Sequence, residues 1–467
     1  MDREALKREL TDQFHQSLDQ AMDAVQRAPD GAWISASEWE VREVFQKLTA
    51  QAFERILQAK LMPPNRRLFP PPGRARPQSK GRRGLGVLTA GGEVRLKREY
   101  FWSGEAGGAC PADALVGVER SNITAGAREL CSLMAVGQDF DQASRDLLRV
   151  GGLSVSRERL RQITEAEGKQ VRRVRDGGEL PAAWSADQAK LADGRRRIYG
   201  GVDGVMAPTV TQAEKDKRRQ RHITRRQQRG KAAVGNTKDL PPPKPGTDER
   251  FKEMKIGIFY DQDKTRRHAF ATEKLSGDFA PLLSGYAKQI GFERADQTIC
   301  LFDGAVWIYR QVCLALLCLQ AILLDFYHLA EHVHATARLC LGEGETARNW
   351  AHDRLAEAKQ SDISAMLAAI SAVEKKVRSP AKTQSLRGLR NYIEERREML
   401  DYARALQEGW DIGSGPTEAT CKTLTLRIKR PGMKWDRDNA AAMMNLLALR
   451  ESGQWDLYWH REARKAA

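Results

Sequence analysis

The chain has no CxxC pair, and its seven cysteines (Cys110, Cys131, Cys300, Cys313, Cys318, Cys340 and Cys421) are scattered, odd in number and mostly inside apolar runs. This excludes a disulfide framework, gives a zinc site little support and suits a reducing compartment. No stretch reaches the ~18 consecutive apolar residues of a membrane span. The charged start Met1-Asp2-Arg3-Glu4 carries no signal-peptide core. A cytoplasmic protein without a membrane partner is therefore expected, and no internal repeat points to a solenoid. What the chain does have is length and positive charge. Its 467 residues, 41% of them hydrophobic, allow roughly two to four domains of about 100–200 residues. Lys and Arg total 77 against 61 Asp and Glu, a net charge of +16. That balance favours a polyanionic partner, nucleic acid first, over a basic surface kept for solubility.

Residues 2–28 and 37–60 read as amphipathic helices, with Leu6, Leu10, Phe14, Leu18 and Met22, then Val41, Val44, Phe45 and Leu48, at helical spacing. The Pro-, Arg-, Lys- and Gly-rich stretch Pro63 to Arg83 reads as an extended basic linker that closes a first region, 1–83. Val87 to Ala90, a Gly91-Gly92 turn and Glu93 to Trp102 predict a β-hairpin module within 84–120. The next segment, 121–180, reads as a helix-turn-helix-like DNA-binding domain. A helix from Phe140 to Val150 is broken by Gly151-Gly152. A basic helix follows from about Arg157 to Val171, with Ser154 or Ser156 as its cap and Arg157, Arg159, Arg161, Arg172 and Arg173 in or just beyond it. An ordinary helical hairpin without DNA contact is the alternative.

From Arg195 the pattern turns to β and then α/β. Strands are predicted at Arg197 to Asp203, Met254 to Tyr260, His268 to Glu273, Gln297 to Asp303 and Ala321 to Tyr327, with helices at 277–291 and 304–318. This is the element order of an RNase H-like core, here 195–328, in which the first and fourth strands are neighbours. The insertion 206–253 is rich in Lys and Arg, including Arg218, Arg219, Arg225 and Arg226, and contains Pro241-Pro242-Pro243. It reads as a loop that orders on nucleic acid, or as a plain solvated loop. Residues 329–408 form an all-α insertion without strand signal, and 409–467 return to the core as helices. Trp455, Tyr458 and Trp459 are expected to pack on that core. The fold class expected is an α/β, RNase H-like catalytic core with a large all-α insertion, behind a mainly helical N-terminal DNA-binding region with a β-hairpin.

Two of the strands end in Asp-Gly, at Asp203-Gly204 and Asp303-Gly304, and a third acid, Glu418, opens a helical pattern after Gly413-Ser414-Gly415-Pro416-Thr417. A buried carboxylate without a partner costs several kcal/mol. Convergence on divalent metal would remove that cost. Two ions about 3.5–4 Å apart can activate an attacking oxygen and stabilise the leaving oxygen of a phosphodiester, and Mg²⁺ favours oxygen ligands. Asp203 is expected to bridge two Mg²⁺ (or Mn²⁺) ions, with Asp303 and Glu418 each completing one site. Gly204 and Gly304 are expected to keep the loops open to a phosphate backbone. Lys422, four residues after Glu418, shares its face and either contacts a phosphate or pairs with Glu418. His328, three residues after Asp325, either orients a carboxylate or touches the scissile phosphate, or is structural; His332 and His334 read as structural. Arg427, Lys429, Arg430 and Lys434, with Trp435, read as a positive DNA groove, or as a solvated face.

Gly-Val-Asp203-Gly, Leu-Phe-Asp303-Gly-Ala-Val-Trp307-Ile, Asp325-Phe-Tyr-His328 and Gly413-Ser-Gly-Pro-Thr-Glu418-Ala-Thr-Cys-Lys422 together resemble the motif set of bacterial insertion-sequence transposases of the Kra type, relatives of the Mutator-like DDE transposases. The resemblance covers roughly residues 85–455, and Thr124 to Lys169 is similar to the family's helix-turn-helix region. It implies a Mg²⁺-dependent DDE triad of Asp203, Asp303 and Glu418, with Asp325 and His328 matching an acidic-or-Cys-x-x-His signature. It further implies recognition of terminal inverted repeats in double-stranded DNA, in a bacterial, nucleoid-associated setting. Cutting two ends together implies a homodimer or larger assembly on DNA. The chain departs from the family after the hairpin, where many relatives carry a CxxC-type group and Trp102 to Cys110 holds one cysteine, so no structural zinc is expected there. A DNA-binding regulator derived from a transposase, and an RNase H-type structure-specific nuclease, are the other readings.

Overall fold

The computed structural model describes residues 2–61, 77–104, 107–118, 121–228 and 244–465. They divide into two packed units, Met1–Glu167 with Tyr458–Ala467, and Gly168–Leu457. The first division falls inside a single helix, Arg157–Asp176.

In the first unit, α1 (Arg3–Gln26) and α2 (Trp33–Lys60) pack on each other. Phe14, Leu18 and Met22 are exposed, and Ala21 and Ala24 are the buried residues of α1. The apolar spacing thus marks a real helix whose larger side chains face solvent. β1 (Gln78–Thr89), β2 (Gly92–Ser103) and the short β3 (Gly107–Ala109) form an antiparallel sheet, followed by α3 (Ala112–Val116). Of the basic linker, 62–76 lies outside the described residues. Gln78 to Arg83 are not linker but the outer half of β1, where ladder pairing reaches Gln78 opposite Trp102 despite a register shift between Ser79 and Arg82. Three helices follow: α4 (Ala125–Val136), α5 (Phe140–Gly151) and α6 (Arg157–Asp176). Gly152 ends α5 in the left-handed region at φ +66°, a conformation glycine enters without a Cβ penalty. Of the two candidate caps, Ser156 is the one whose Oγ accepts from the Arg159 N–H, at 3.3 Å. Ile123, Ala127, Cys131, Leu147, Leu153 and Leu160 form this group's core.

The second unit is built on five strands: β4 (Arg197–Pro208), β5 (Phe251–Asp261), β6 (Arg267–Thr272), β7 (Gln297–Phe302) and β8 (Ala321–Leu324). Their spatial order is β6-β5-β4-β7-β8. β4, β5 and β6 pair antiparallel, whereas β4, β7 and β8 pair parallel. Near-continuous burial of β4 and β7 suits strands covered on both faces. α8 (Phe279–Ile290) and α9 (Val306–Ala315) supply the crossovers. The expected all-α insertion is α10 (Phe326–Leu341), α11 (Glu345–Lys359), α12 (Ile363–Glu374), α13 (Pro380–Glu395) and α14 (Tyr402–Gln407). α15 (Gly415–Leu426), α16 (Arg437–Glu451) and α17 (Trp455–Lys465) close the chain. Tyr458 and Trp459 are buried in the first unit, not in the sheet-built one expected, and Trp455 is half-buried.

Two expectations are corrected. The insertion 206–253 is not simply a loop. β4 continues to Pro208, β5 begins at Phe251, and Gln212–Gln228 is a helix, α7. Its residues are mostly Gln, Glu, Lys and Arg with no Gly or Pro, which favours helix even though none of them is buried. Residues 229–243, with the triple proline, lie outside the described residues. Secondly, β8 stops at Leu324 and not at Tyr327. Asp325 leaves the strand because its carboxylate accepts from the Tyr327 and His328 N–H groups and caps α10. Among the described residues no helix is long and apolar enough to cross a membrane.

A polar network lies behind the sheet. Arg175, fully buried, donates to the Ala269 carbonyl at 2.6 Å, to Gln454 Oε1 at 2.9 Å and to Ser452 Oγ at 3.1 Å. Near it the His268 ring meets Gln289 Oε1 at 3.0 Å. Burial, and then the Arg175 charge, push the His268 pKa down to about 3. Below the ordinary histidine value of ~6.5 the unfolded chain takes up a proton that the fold refuses. Stability therefore falls as pH drops from about 6.5 towards 3. In urea unfolding at pH 7 and pH 4.5, His268→Gln should lose less stability between the two conditions than wild type, by about 2 kcal/mol; equal losses would contradict a neutral, buried His268.

Candidate active site at the end of the sheet

Parallel pairing of β4 with β7 runs from Arg197 opposite Gln297 to Gly201 opposite Leu301. Asp203 and Asp303 each lie two residues past that last pair, Asp203 inside β4 where its parallel neighbour has ended and Asp303 just after β7, so the two stand side by side. Asp303 is set by its own turn, where its Oδ1 accepts from the Ala305 N–H at 2.9 Å. Gly304 sits at φ +80°, and a Cβ there would come within 2.6 Å of Leu324 and 2.7 Å of Arg396. Neither glycine keeps a loop open as expected. Gly304 is wedged in a tight turn, and Gly204 lies within β4 with the Glu253 side chain against the place its Cβ would take.

The third acid reaches this edge because α15 packs on β4. A helix advances about 6.0 Å in four residues and a strand about 6.7 Å in two. Thr417 and Cys421 can therefore meet Gly201 and Asp203 in step. Thr417 occupies the space a Gly201 side chain would need, and the Cys421 thiol donates to the Asp203 carboxylate. Glu418, next to Thr417, then lies on the exposed side of the helix beside Asp203.

Asp325 holds the start of this helix. It is 2% exposed. Besides capping α10, it accepts from the Ser414 N–H at 3.0 Å and from the Ser414 hydroxyl. The Phe326 N–H reaches the Ile412 carbonyl at 2.9 Å, and the Asp411 N–H donates to the Tyr199 hydroxyl at 3.1 Å. Asp325 is thus a strut between β8 and the turn before Glu418, with its oxygens already engaged.

Burial raises the Asp203 pKa, with a further upward push from the Asp303 and Glu418 charges; the Cys421 thiol and the Gly204 N–H oppose it. Three carboxylates repelling one another beside the end of β7 fit a divalent cation, and their all-oxygen donor set fits Mg²⁺ or Mn²⁺ better than zinc. Among the described residues no group of three or more His, Cys, Asp or Glu is drawn tightly enough to cage an ion. Mg²⁺ usually takes one or two carboxylates and completes its shell with phosphate and water.

The remaining sequence candidates separate. Lys422 is exposed one turn beyond Glu418, and among the described residues no ion pair engages it. His328 lies on the first turn of α10, 3.8 Å from the Glu331 carboxylate, its ring 5.1 Å from that of His332. Among the described residues no hydrogen bond joins it to Asp203, Asp303 or Glu418. The basic stretch after α15 is not one groove. Arg427 is 1% exposed, its guanidinium 5.0 Å over the buried Trp435 ring, while the indole N–H donates to the Ile428 carbonyl at 3.2 Å. Arg427 and Trp435 are core, because a guanidinium stacked on an aromatic ring is readily desolvated. Lys434 pairs with Glu214, Lys429 is exposed and Arg430 half-exposed. On α7, Arg218 and Arg225 are exposed, and Arg219 and Arg226 half-exposed. On α6, Arg157 and Arg159 are exposed, whereas Arg161 is held between Glu158 and Glu165, each at 2.6 Å. Sequence reading missed Cys421 as a partner of Asp203, and missed Tyr392, which donates to the Asp303 carbonyl at 3.2 Å. Nothing local marks either contact.

Gly201→Ala should overpack the β4–α15 contact, lower stability by about 1–3 kcal/mol and displace Glu418; adding Thr417→Ala should recover part of the loss in the same chemical unfolding experiment. A Gly201→Ala protein as stable as wild type would mean that α15 does not seat on Gly201.

The sequence matches no protein-family model, and no curated protein matches it.

Proposed function

We propose that the protein is a DDE-type DNA transposase that cuts at the terminal inverted repeats of an insertion sequence and joins the 3′ ends to target DNA. The observation that carries this reading is the convergence of Asp203, Asp303 and Glu418, from two parallel neighbouring strands and a helix packed on the first. The sheet order β6-β5-β4-β7-β8 is also the order expected of an RNase H-like core. Exposed Arg157 and Arg159 on α6, and the basic helix α7, supply cations for double-stranded DNA. A dimer or larger assembly holds the two ends.

Asp203, Asp303 and Glu418 would hold two Mg²⁺ or Mn²⁺ ions, which when bound activate the attacking oxygen and stabilise the leaving one. The chain does the positioning. The Cys421 thiol and the Gly204 N–H orient the Asp203 carboxylate, the Ala305 N–H orients Asp303, and Asp325 fixes the turn before Glu418. Lys422 reaches the phosphate beside the cleaved bond, and His328 assists from the first turn of α10. In the first step a water oxygen bonds to phosphorus and the 3′ oxygen at the element end leaves, taking a proton. In the second, that 3′ hydroxyl gives up its proton as its oxygen bonds to a target phosphorus, and the target's own 3′ oxygen departs, taking a proton.

On DNA carrying this gene with its own genomic flanks, wild type should cut and join when Mg²⁺ is added. Asp303→Asn and Glu418→Gln should each reduce both steps by about 10²–10⁴-fold, since such sites supply several kcal/mol of charge stabilisation. Cut ends without joined products would instead favour a nuclease, and salt-sensitive binding without cutting, unchanged in both variants, a regulator.

Replacing Arg218 and Arg225 together by Ala should lower the slope of log K against log salt on duplex DNA by about two, near 0.9 per lost phosphate contact. An unchanged slope would remove α7 from the DNA surface.

A further inference from the structure

We infer that the all-helical insertion is a positioning device for the second aspartate, with Tyr392 and Arg396 gripping the Asp303–Gly304 turn and fixing where its carboxylate points. The inference rests on the carboxylate-triad reading. Parallel strands end with carbonyls that the ladder no longer pairs, and a buried orphan carbonyl is costly. At this end of the sheet the insertion supplies the donors. Tyr392 Oη donates to the Asp303 carbonyl at 3.2 Å, Arg396 Nε to the Gly304 carbonyl at 3.0 Å and Tyr402 Oη to the Leu324 carbonyl at 3.0 Å.

Two of these donors meet consecutive carbonyls of the same turn, the turn in which the Asp303 carboxylate already accepts from Ala305. Backbone and side chain of Asp303 are therefore both tied. Tyr392 is itself held: the His332 ring stacks on it at 4.3 Å with a 28° interplanar angle, and the Arg396 guanidinium lies 4.1 Å from its centroid. Arg396 also donates to the Tyr392 carbonyl at 3.2 Å. Gly304 at φ +80° leaves just enough room for this guanidinium. Tyr402 fastens the insertion to the end of β8, away from Asp303. The other pair acts on Asp303.

The test uses the full chain. Tyr392→Phe removes one hydroxyl, Arg396→Ala removes the second donor, Arg396→Lys restores a donor, and Tyr402→Phe is the control that loosens the insertion elsewhere. Two quantities are read: hydrogen exchange at the Ala305 amide without added metal, and the Mg²⁺ concentration for half-maximal cutting. Tyr392→Phe and Arg396→Ala should each speed Ala305 exchange several-fold and raise the Mg²⁺ requirement about tenfold, as loss of an outer-shell partner does. Duplex affinity measured without Mg²⁺ should not change, and Arg396→Lys should recover part of both effects. If Tyr392→Phe matches Tyr402→Phe in both readouts, the inference is overturned while the triad reading stands. If wild type does not cut, or cuts as well with Asp303→Asn, the triad reading fails, and Ala305 exchange alone then decides whether the turn is held.

Discussion

Parallel pairing of β4 with β7 sets the Asp203 carboxylate, inside β4, beside that of Asp303, just past the end of β7, and much of the second unit responds to that placement. Backbone ladders fix the spacing of the strands, so the aspartates cannot drift apart to relieve their repulsion. Burial and the two neighbouring charges raise the Asp203 pKa, while one thiol and one N–H hold its carboxylate in place.

The small residues of the region have the same origin. Gly201 leaves room for Thr417, so α15 can approach β4 closely enough for Glu418 to join the aspartates. Asp325 spends its lone pairs on two N–H groups of α10 and on Ser414, which ties the end of β8 to the beginning of α15. The insertion separates β8 from α15 in sequence, yet its donors cap the carbonyls at the ends of β7 and β8. A long all-α insertion is compatible with a well-defined placement of Glu418 because the insertion is fastened to the strand termini at its start and in its interior.

Sequence reading succeeded where information is local. Apolar runs ending in Asp-Gly gave β4 and β7, Gly152 and Ser156 gave the α5–α6 break, and the absence of strand signal after residue 328 gave the helical insertion. It failed where meaning depends on distant partners. Asp325 looks like part of a strand running on to Tyr327 until Ser414, 89 residues on, is seen against it. Arg427 looks like a surface cation, and only the tertiary contact with Trp435 makes it core. In α7 the error ran the other way: dense charge suggested a loop, but Gln, Glu, Lys and Arg are good helix formers when nothing forces another conformation. Tyr392 and Arg396 sit in a helical pattern that carries no mark of the backbone atoms they meet.

The net charge of +16 says little until the cations are sorted by what they already hold. Arg161, Arg172, Lys215 and Lys434 are committed to carboxylates, and Arg175 and Arg427 are buried. Among the described residues no ion pair engages Arg157, Arg159, Arg218, Arg225, Lys422 or Lys429. These fall on the start of α6, along α7, and on or just after α15. In α7 the division is visible within a single helix. Its first turn is tied down through Glu214 to Lys434 and through Lys215 to Asp436 at 2.6 Å, while Arg218 and Arg225 lie farther along it. A helix without a buried residue gains little from packing, so the fold alone does not account for its excess positive charge. The residues that carry it follow directly on β4, the strand that carries Asp203.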